Sequence, residues 1–229
     1  SPLTEPRNRR APRWMNDYVS GDGLSDEEEE VQTHLVLFSH VVRSDPTSFD
    51  EAIKEEKWRA AMDAEMRSIE KNGTWDLREL PKGAEKIGVK WVYKTKLNEL
   101  GEVEKYKARL VAKGYAQEYG VDYEEVYAPV ARMDTVQMIL ALTTQRGWCV
   151  FQLDVKSAFL HGKLAENVYV EQPRGYEIKN EEHMVYKLNK ALYGLKQAPR
   201  AWFSRIESYF RKEGFEKEDS EQTLFTKVK

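Results

Sequence analysis

This chain of 229 residues has little cysteine, no long apolar run and no recognisable export signal. One cysteine, Cys149, excludes an internal disulfide and is typical of a reducing compartment. No apolar run approaches the roughly 18 to 20 residues that cross a bilayer, so no membrane partner is expected. Residues 1–14 lack the apolar centre of a signal peptide, and the missing initiator Met indicates a piece of a longer product. The scattered histidines show no zinc-binding spacing.

The chain also has no excess of positive charge, since its formal net charge is −3. The chain as a whole is therefore not expected to bind polyanions in general. The charges are segregated instead, with arginines in residues 7–13 and an acidic run at 26–30. Residues 1–46 show little hydrophobic periodicity and are predicted to be a disordered linker, followed by a folded domain at 47–229. In residues 82–113, nine lysines and arginines stand against four glutamates, which predicts a binding surface for an anion or nucleic acid.

Helices are predicted where apolar residues recur at helical spacing between start and stop signals. The first starts at a capping box of Ser48 and Glu51, the second spans residues 134–147, and the third runs from Pro199 to Gly214. The side of the first helix that is predicted to be buried carries Trp58, Met62, Met66 and Ile69. The second helix has Val136, Ile139, Leu140 and Thr143 on one side.

Two alternating segments, residues 87–96 and 105–112, flank a turn that contains Gly101 and predict a β-hairpin. Lys107 and Arg109 are two residues apart on one strand and therefore project from the same face. This face is either an ordinary solvated surface or a cationic surface that folds over a triphosphate.

Another strand is predicted at residues 150–153, where an apolar run leads to Asp154. That carboxylate is either a simple turn former or a ligand for Mg²⁺ at a strand end. Short strands are also predicted at 168–171, 184–188 and 223–228. Because helices and strands are mixed without regular βαβ alternation, the predicted fold class is α+β.

Three segments, Tyr106–Gln117, Leu153–Gly162 and Ala191–Phe203, resemble the reverse transcriptase of copia-type LTR retrotransposons. The resemblance runs from about residue 48 to the end of the chain. It implies the fingers and an incomplete palm of a right-hand polymerase, which is an RNA-directed DNA polymerase. It also implies a primed RNA or DNA template, deoxynucleoside triphosphates and the remainder of a Pol polyprotein as partners. The implied location is the cytoplasm, in particles, with the nucleus as an alternative.

The resemblance implies roles for residues in the second segment. Asp154 matches the first metal-binding, catalytic aspartate of the palm, and Val155 matches the neighbour whose main chain approaches the metal or phosphates. Ala158 is implied to contact the nucleotide. Phe159 matches the aromatic residue beneath the incoming sugar, where a 2′-hydroxyl would collide with the ring. The family mechanism uses two Mg²⁺ ions bridged by at least two carboxylates, of which Asp154 supplies one.

The other two segments carry further implied contacts. Lys107 and Arg109 lie in the fingers segment that contacts the triphosphate, and either is the main contact. Tyr193 and Gly194 match a loop near the nucleotide, with Tyr193 where retroviral relatives carry Gln. The residues predicted to contact template or primer are Lys94, Lys96, Lys196 and Pro199.

The family's Tyr-x-Asp-Asp hairpin is missing from all 229 residues, and the chain is expected to stop just before it. The fragment alone is therefore predicted to be inactive in nucleotidyl transfer. One alternative is a non-catalytic, nucleic-acid-binding remnant of a transposable element. Another is a fragment without a role, whose unfinished palm exposes apolar surface and aggregates.

Overall fold

The computed structural model describes residues 45–227, so the predicted linker lies outside the described residues except for Asp45 and Pro46. The helices are α1 (Phe49–Ala52), α2 (Glu56–Lys71), α3 (Met133–Arg146) and α4 (Ala198–Lys212), with 3₁₀ turns at Gly114–Ala116 and Ala158–His161. The strands are β1 (Trp75–Arg78), β2 (Lys86–Ile87), β3 (Val89–Leu97), β4 (Val103–Ala112), β5 (Lys163–Val170), β6 (Val185–Lys190), β7 (Glu216–Lys217) and β8 (Phe225–Thr226). The predicted mixture of helix and sheet is confirmed.

Helix α2 buries the predicted apolar side against the hairpin β3–β4. Trp58, Met62 and Ile69 are each no more than 2% exposed, and the Trp58 ring meets Tyr93 edge-on at 5.4 Å. The Ser48 side chain accepts a hydrogen bond from the Glu51 N–H, as a capping residue should. That cap starts the short helix α1, and the long helix begins anew at Glu56.

The predicted hairpin is confirmed, with β3 and β4 antiparallel and Trp91 opposite Leu110. Alternation along both strands places one set of side chains in the core and the other set outside. Ala108 and Leu110 are buried, whereas Arg109 between them is exposed. The Asn98 side chain closes the turn by accepting the N–H groups of Leu100 and Glu102.

A second sheet has the strand order β1-β6-β5-β2, in which β5 and β6 are antiparallel and β2 runs parallel to β5. These strands confirm the predictions at 168–171 and 184–188, although β5 starts five residues earlier than predicted. Val168, Val170 and Leu188 are at most 2% exposed and form the core with Leu160 of the 3₁₀ turn. This packing holds the residues just after Asp154 against the sheet.

The strand predicted at residues 150–153 is wrong. The segment has no regular secondary structure, and Phe151 and Leu153 are 82% and 89% exposed. A strand needs a neighbour for its backbone hydrogen bonds, and no described strand lies beside this segment.

Helix α3 forms and is capped by Gly147 in the left-handed region, as predicted. Its apolar side is largely uncovered by the described chain, because Val136 and Leu140 are 40% and 46% exposed and Thr143 is the buried member. Apolar spacing makes a helix amphipathic but does not supply the surface that covers it. The last predicted strand is represented by β8, which pairs with β7, and Val228 lies outside the described residues. No helix among residues 45–227 is long and apolar enough to cross a membrane.

Candidate functional site

A cleft of about 700 Å³ lies along β4, between α2, residues 154–159 and Tyr193. Residues from four separate parts of the sequence meet in it. The predicted metal and nucleotide residues that line it are Lys107, Arg109, Asp154, Val155, Ala158, Phe159 and Tyr193. A cleft of this size is in the range of small-molecule sites.

The cleft exists because β4 has a strand partner on one side only. On its other side, the Ala112 N–H donates a 2.7 Å hydrogen bond to the Tyr193 carbonyl oxygen. The N–H groups of every second residue in an antiparallel strand point to the same edge, so the N–H of Leu110 points there as well. Beyond this contact the edge of β4 is open, and the cleft occupies the space beside it.

Gly194 permits the contact between this loop and β4. Its φ is +88°, and a Cβ atom there would lie 2.2 Å from the Ala112 carbonyl oxygen. Gly194 does not line the cleft but lets the chain come close enough to place Tyr193 in it.

Aromatic rings and a guanidinium form one wall of the cleft. The Arg109 guanidinium lies 5.1 Å from the centre of the Tyr193 ring, and the Phe159 ring meets the same ring edge-on at 5.5 Å. Burial raises the pKa of the Tyr193 hydroxyl, and the nearby charge of Glu65 raises it further. Tyr193 is therefore a neutral ring that supports both the cation and Phe159.

The cations of the hairpin repel one another. Burial lowers the pKa of the Lys107 ammonium, and the charges of Arg109 and Lys96 lower it further, while Glu65 opposes them. Lys94 lies opposite Lys107 on β3, and its Nζ is 3.5 Å from the Asp45 carboxylate. Such a group of like charges favours binding of a polyanion, which would relieve the repulsion.

A sequence model described as reverse transcriptase (RNA-dependent DNA polymerase) matches residues 72–229, which is more than half of the chain. The chain belongs to the reverse transcriptase family. It is 44% identical over 198 residues to the retrovirus-related Pol polyprotein from transposon TNT 1-94 of Nicotiana tabacum, a match that covers 85% of this chain and 15% of the relative. The corresponding protein from transposon RE1 of Arabidopsis thaliana is 43% identical over 84% of this chain and 13% of its own length.

A more distant relative is the transposon Ty1-ER2 Gag-Pol polyprotein of Saccharomyces cerevisiae, 28% identical over 72% of this chain and 9% of its own length. No solved structure matches the chain. The chain thus spans about one seventh of the length of the plant relatives it matches.

Reverse transcriptases generally use divalent metal ions, and Asp154 is the predicted ligand. Asp154 is exposed and lines the cleft, with Val155 beside it. Within residues 45–227, no group of three His, Cys, Asp or Glu side chains is close enough together to hold a metal ion. Magnesium prefers several fixed oxygen ligands.

Lys196 and Pro199 lie away from the cleft in this reverse transcriptase domain. The Lys196 Nζ donates to the Gln117 carbonyl oxygen at 3.0 Å and to the Tyr123 hydroxyl at 3.2 Å. Gln117 also donates to Gln197 at 3.0 Å, and both glutamines are buried. Pro199 occupies the first turn of α4. The Lys196 ammonium thus holds the segment after β4 against the start of α4.

Glu65 of α2 also lines the cleft and was not among the predicted site residues. It is 8% exposed, and no described group hydrogen-bonds its Oε1 atom. Burial raises the pKa of its carboxyl, while the Leu110 N–H and the charges of Arg109 and Lys107 act in the opposite direction. A signal for it exists in the sequence, because Glu65 falls on the apolar stripe of α2 between Met62 and Ile69.

Proposed function

We propose that this chain is the part of a retrotransposon reverse transcriptase that binds the incoming deoxynucleoside triphosphate. It would form the fingers and part of the palm of a right-hand polymerase, and residues 47–229 would be the domain. The observation that carries the proposal is the single cleft in which cations of the hairpin face Asp154 and Phe159.

The charge and shape of the cleft suit a nucleoside triphosphate. Arg109 presents a planar fork of N–H donors and Lys107 a point charge, and both bind phosphate oxygens well. Five cations and two carboxylates line the cleft, so its local charge is positive although that of the chain is negative. The triphosphate would therefore lie along β4.

The sugar would lie against Phe159. This ring is partly buried and is held at its edge by Tyr193, so it cannot easily swing away from a bulkier sugar. A 2′-hydroxyl would meet the ring, and ribonucleotides would be excluded on steric grounds. Tyr193 in turn is held by the Arg109 guanidinium, so phosphate binding and sugar selection would share one wall.

Magnesium is the ion we propose, because Asp154 offers the hard carboxylate oxygen that this ion prefers. When bound, the metal would supply charge stabilisation to the transferring phosphate. Asp154 accounts for one ligand only. We therefore propose that the intact polyprotein copies a primed RNA or DNA template, in cytoplasmic particles, and that residues 1–229 alone do not.

Binding of dATP to the 229-residue chain, measured by calorimetry without metal, tests the triphosphate site. Arg109→Ala should weaken binding about tenfold, the loss of one charge-assisted phosphate contact. Arg78→Ala is the matched control, because Arg78 is an arginine of strand β1 outside the cleft. Equal affinities for the two variants would remove Arg109 from the site, and no binding by the unaltered chain would refute the proposal.

The runner-up function is a nucleic-acid-binding protein without catalysis. It is favoured by the excess of cations over the two carboxylates of the cleft, and by the paired lysines of β3 and β4, such as Lys94 opposite Lys107. This function predicts salt-dependent binding to RNA or DNA of any sequence, and replacing one of these lysines should make the affinity less dependent on salt. Competition would separate the two functions, since excess dATP displaces nucleic acid only if both use the cleft.

A further inference from the structure

Glu65 is an unusual residue to find in a cleft that binds anions. It is more than nine-tenths buried, its Oε1 has no hydrogen-bond partner among residues 45–227, and it lines the cleft. Leaving a buried polar atom without a hydrogen-bond partner is destabilising, so a role for this atom is expected.

The surroundings of Glu65 are mainly cationic. The Leu110 N–H, at the open edge of β4, and the charges of Arg109 and Lys107 all act to lower the pKa of its carboxyl. Neither Lys107 nor Arg109 forms an ion pair with Glu65, since none of the ion pairs within 4.0 Å in the described part of the chain joins them. Other charged or titratable groups that line the cleft are Lys57 of α2, Lys105 and Tyr106 of β4, Asp154, Lys156 and Tyr193.

We propose that Glu65 is an internal counter-charge, which offsets Lys107 and Arg109 before an anion binds and competes with the triphosphate for them. The inference rests on the proposed function, because it takes the polyphosphate group as the competing anion. Glu65 is thus a positioning residue that sets how tightly this anion is held. When the anion arrives, the two cations turn to it, and Glu65 is left as a like charge beside the phosphates.

A pH dependence follows from this arrangement. Burial already raises the pKa of Glu65, and an added polyanion would raise it further because like charges disfavour ionisation. A group with a raised pKa loses its negative charge as the pH falls through that pKa. The opposition of Glu65 to the triphosphate is therefore full at high pH and fades in acid.

The test measures the affinity of the 229-residue chain for dATP and for inorganic tripolyphosphate, both without metal. Glu65→Gln keeps an oxygen that can accept the Leu110 N–H but removes the charge. Both ligands should bind roughly fivefold more tightly at about pH 8, the size expected of one partly screened charge, and the gain should be smaller at about pH 5. The matched control is Glu70→Gln, an exposed carboxylate of the same helix outside the cleft, which should change nothing.

A purely structural role for Glu65 predicts the opposite sign, weaker binding in the variant, and that result overturns the inference. Equal affinity overturns it too, while binding by the unaltered chain still supports the proposed function. Failure of the unaltered chain to bind either ligand overturns both. If Glu65→Gln does not fold, Glu65→Met decides, because it fills the same space, needs no hydrogen-bond partner and should also bind more tightly.

Discussion

A methyl group added at Gly194 would meet the backbone of β4 directly. The Cβ of Gly194→Ala would lie 2.2 Å from the Ala112 carbonyl oxygen and 2.6 Å from Val111 Cγ1. The obstructing oxygen belongs to the backbone of a paired strand, so it cannot move aside as a flexible side chain would. The loop has to retreat, and Tyr193 leaves the cleft with it.

The cost has two parts. Placing a residue with a Cβ at φ +88° costs about 1–2 kcal/mol. Losing the 2.7 Å hydrogen bond from the Ala112 N–H to Tyr193 adds about 0.5–1.5 kcal/mol. We expect the free energy of unfolding to fall by about 1.5–3.5 kcal/mol in total, and dATP to bind about tenfold more weakly because the wall formed by Tyr193 is displaced.

The variant Gly83→Ala measures the conformational part of this cost alone. Gly83 has φ +84°, close to that of Gly194, yet a Cβ there would meet nothing within 4 Å. Urea denaturation of both variants should show that Gly83→Ala costs about 1–2 kcal/mol, the conformational part alone, with unchanged affinity for dATP. Equal destabilisation of the two variants, or unaltered dATP binding by Gly194→Ala, would refute the role assigned to this close approach.

Three further predictions concern the cleft and its support. Asp154→Asn in an intact polyprotein relative should abolish primer extension, and retained extension would remove Asp154 from the site. In this chain the same substitution should change the melting temperature by no more than about 1 °C, because the side chain is exposed. Phe159→Val in the same relative should raise incorporation of ribonucleotides over deoxynucleotides, and loss of stability with unchanged sugar choice would indicate a packing role only. Lys196→Met should lower the free energy of unfolding by about 1–3 kcal/mol, because the acceptors on Gln117 and Tyr123 lose their donor, and should leave dATP affinity unchanged. Weaker dATP binding without destabilisation would instead place Lys196 at the ligand.

Predictions that depend on near neighbours in the sequence agree with the structure. The hairpin β3–β4, the cap at Ser48 and the helix that follows Gln197 each depend on residues a few positions apart. Alternation, capping and turn chemistry act over those distances, so the sequence pattern contains the necessary information.

The errors fall where a segment needs a distant partner. Residues 150–153 have the apolar composition of a strand, but no described strand stands beside them. Helix α3 has a suitable apolar side, but little of the described chain covers it. Composition predicts what a segment can form, and packing decides whether it does so.

The amino-acid pattern by itself determined the basic hairpin, with Lys107 and Arg109 on one face, since the two-residue period of a strand requires it. It also marked Asp154, Phe159 and Tyr193 through their resemblance to a family. Only the tertiary structure brought these residues together with Glu65, because the open edge of β4 and the close contact of Gly194 join segments that are far apart along the chain. Glu65 is a charged residue on the apolar stripe of α2, and its role can be inferred only once the surface opposite it is known. That surface is set by the packing of α2 on β4.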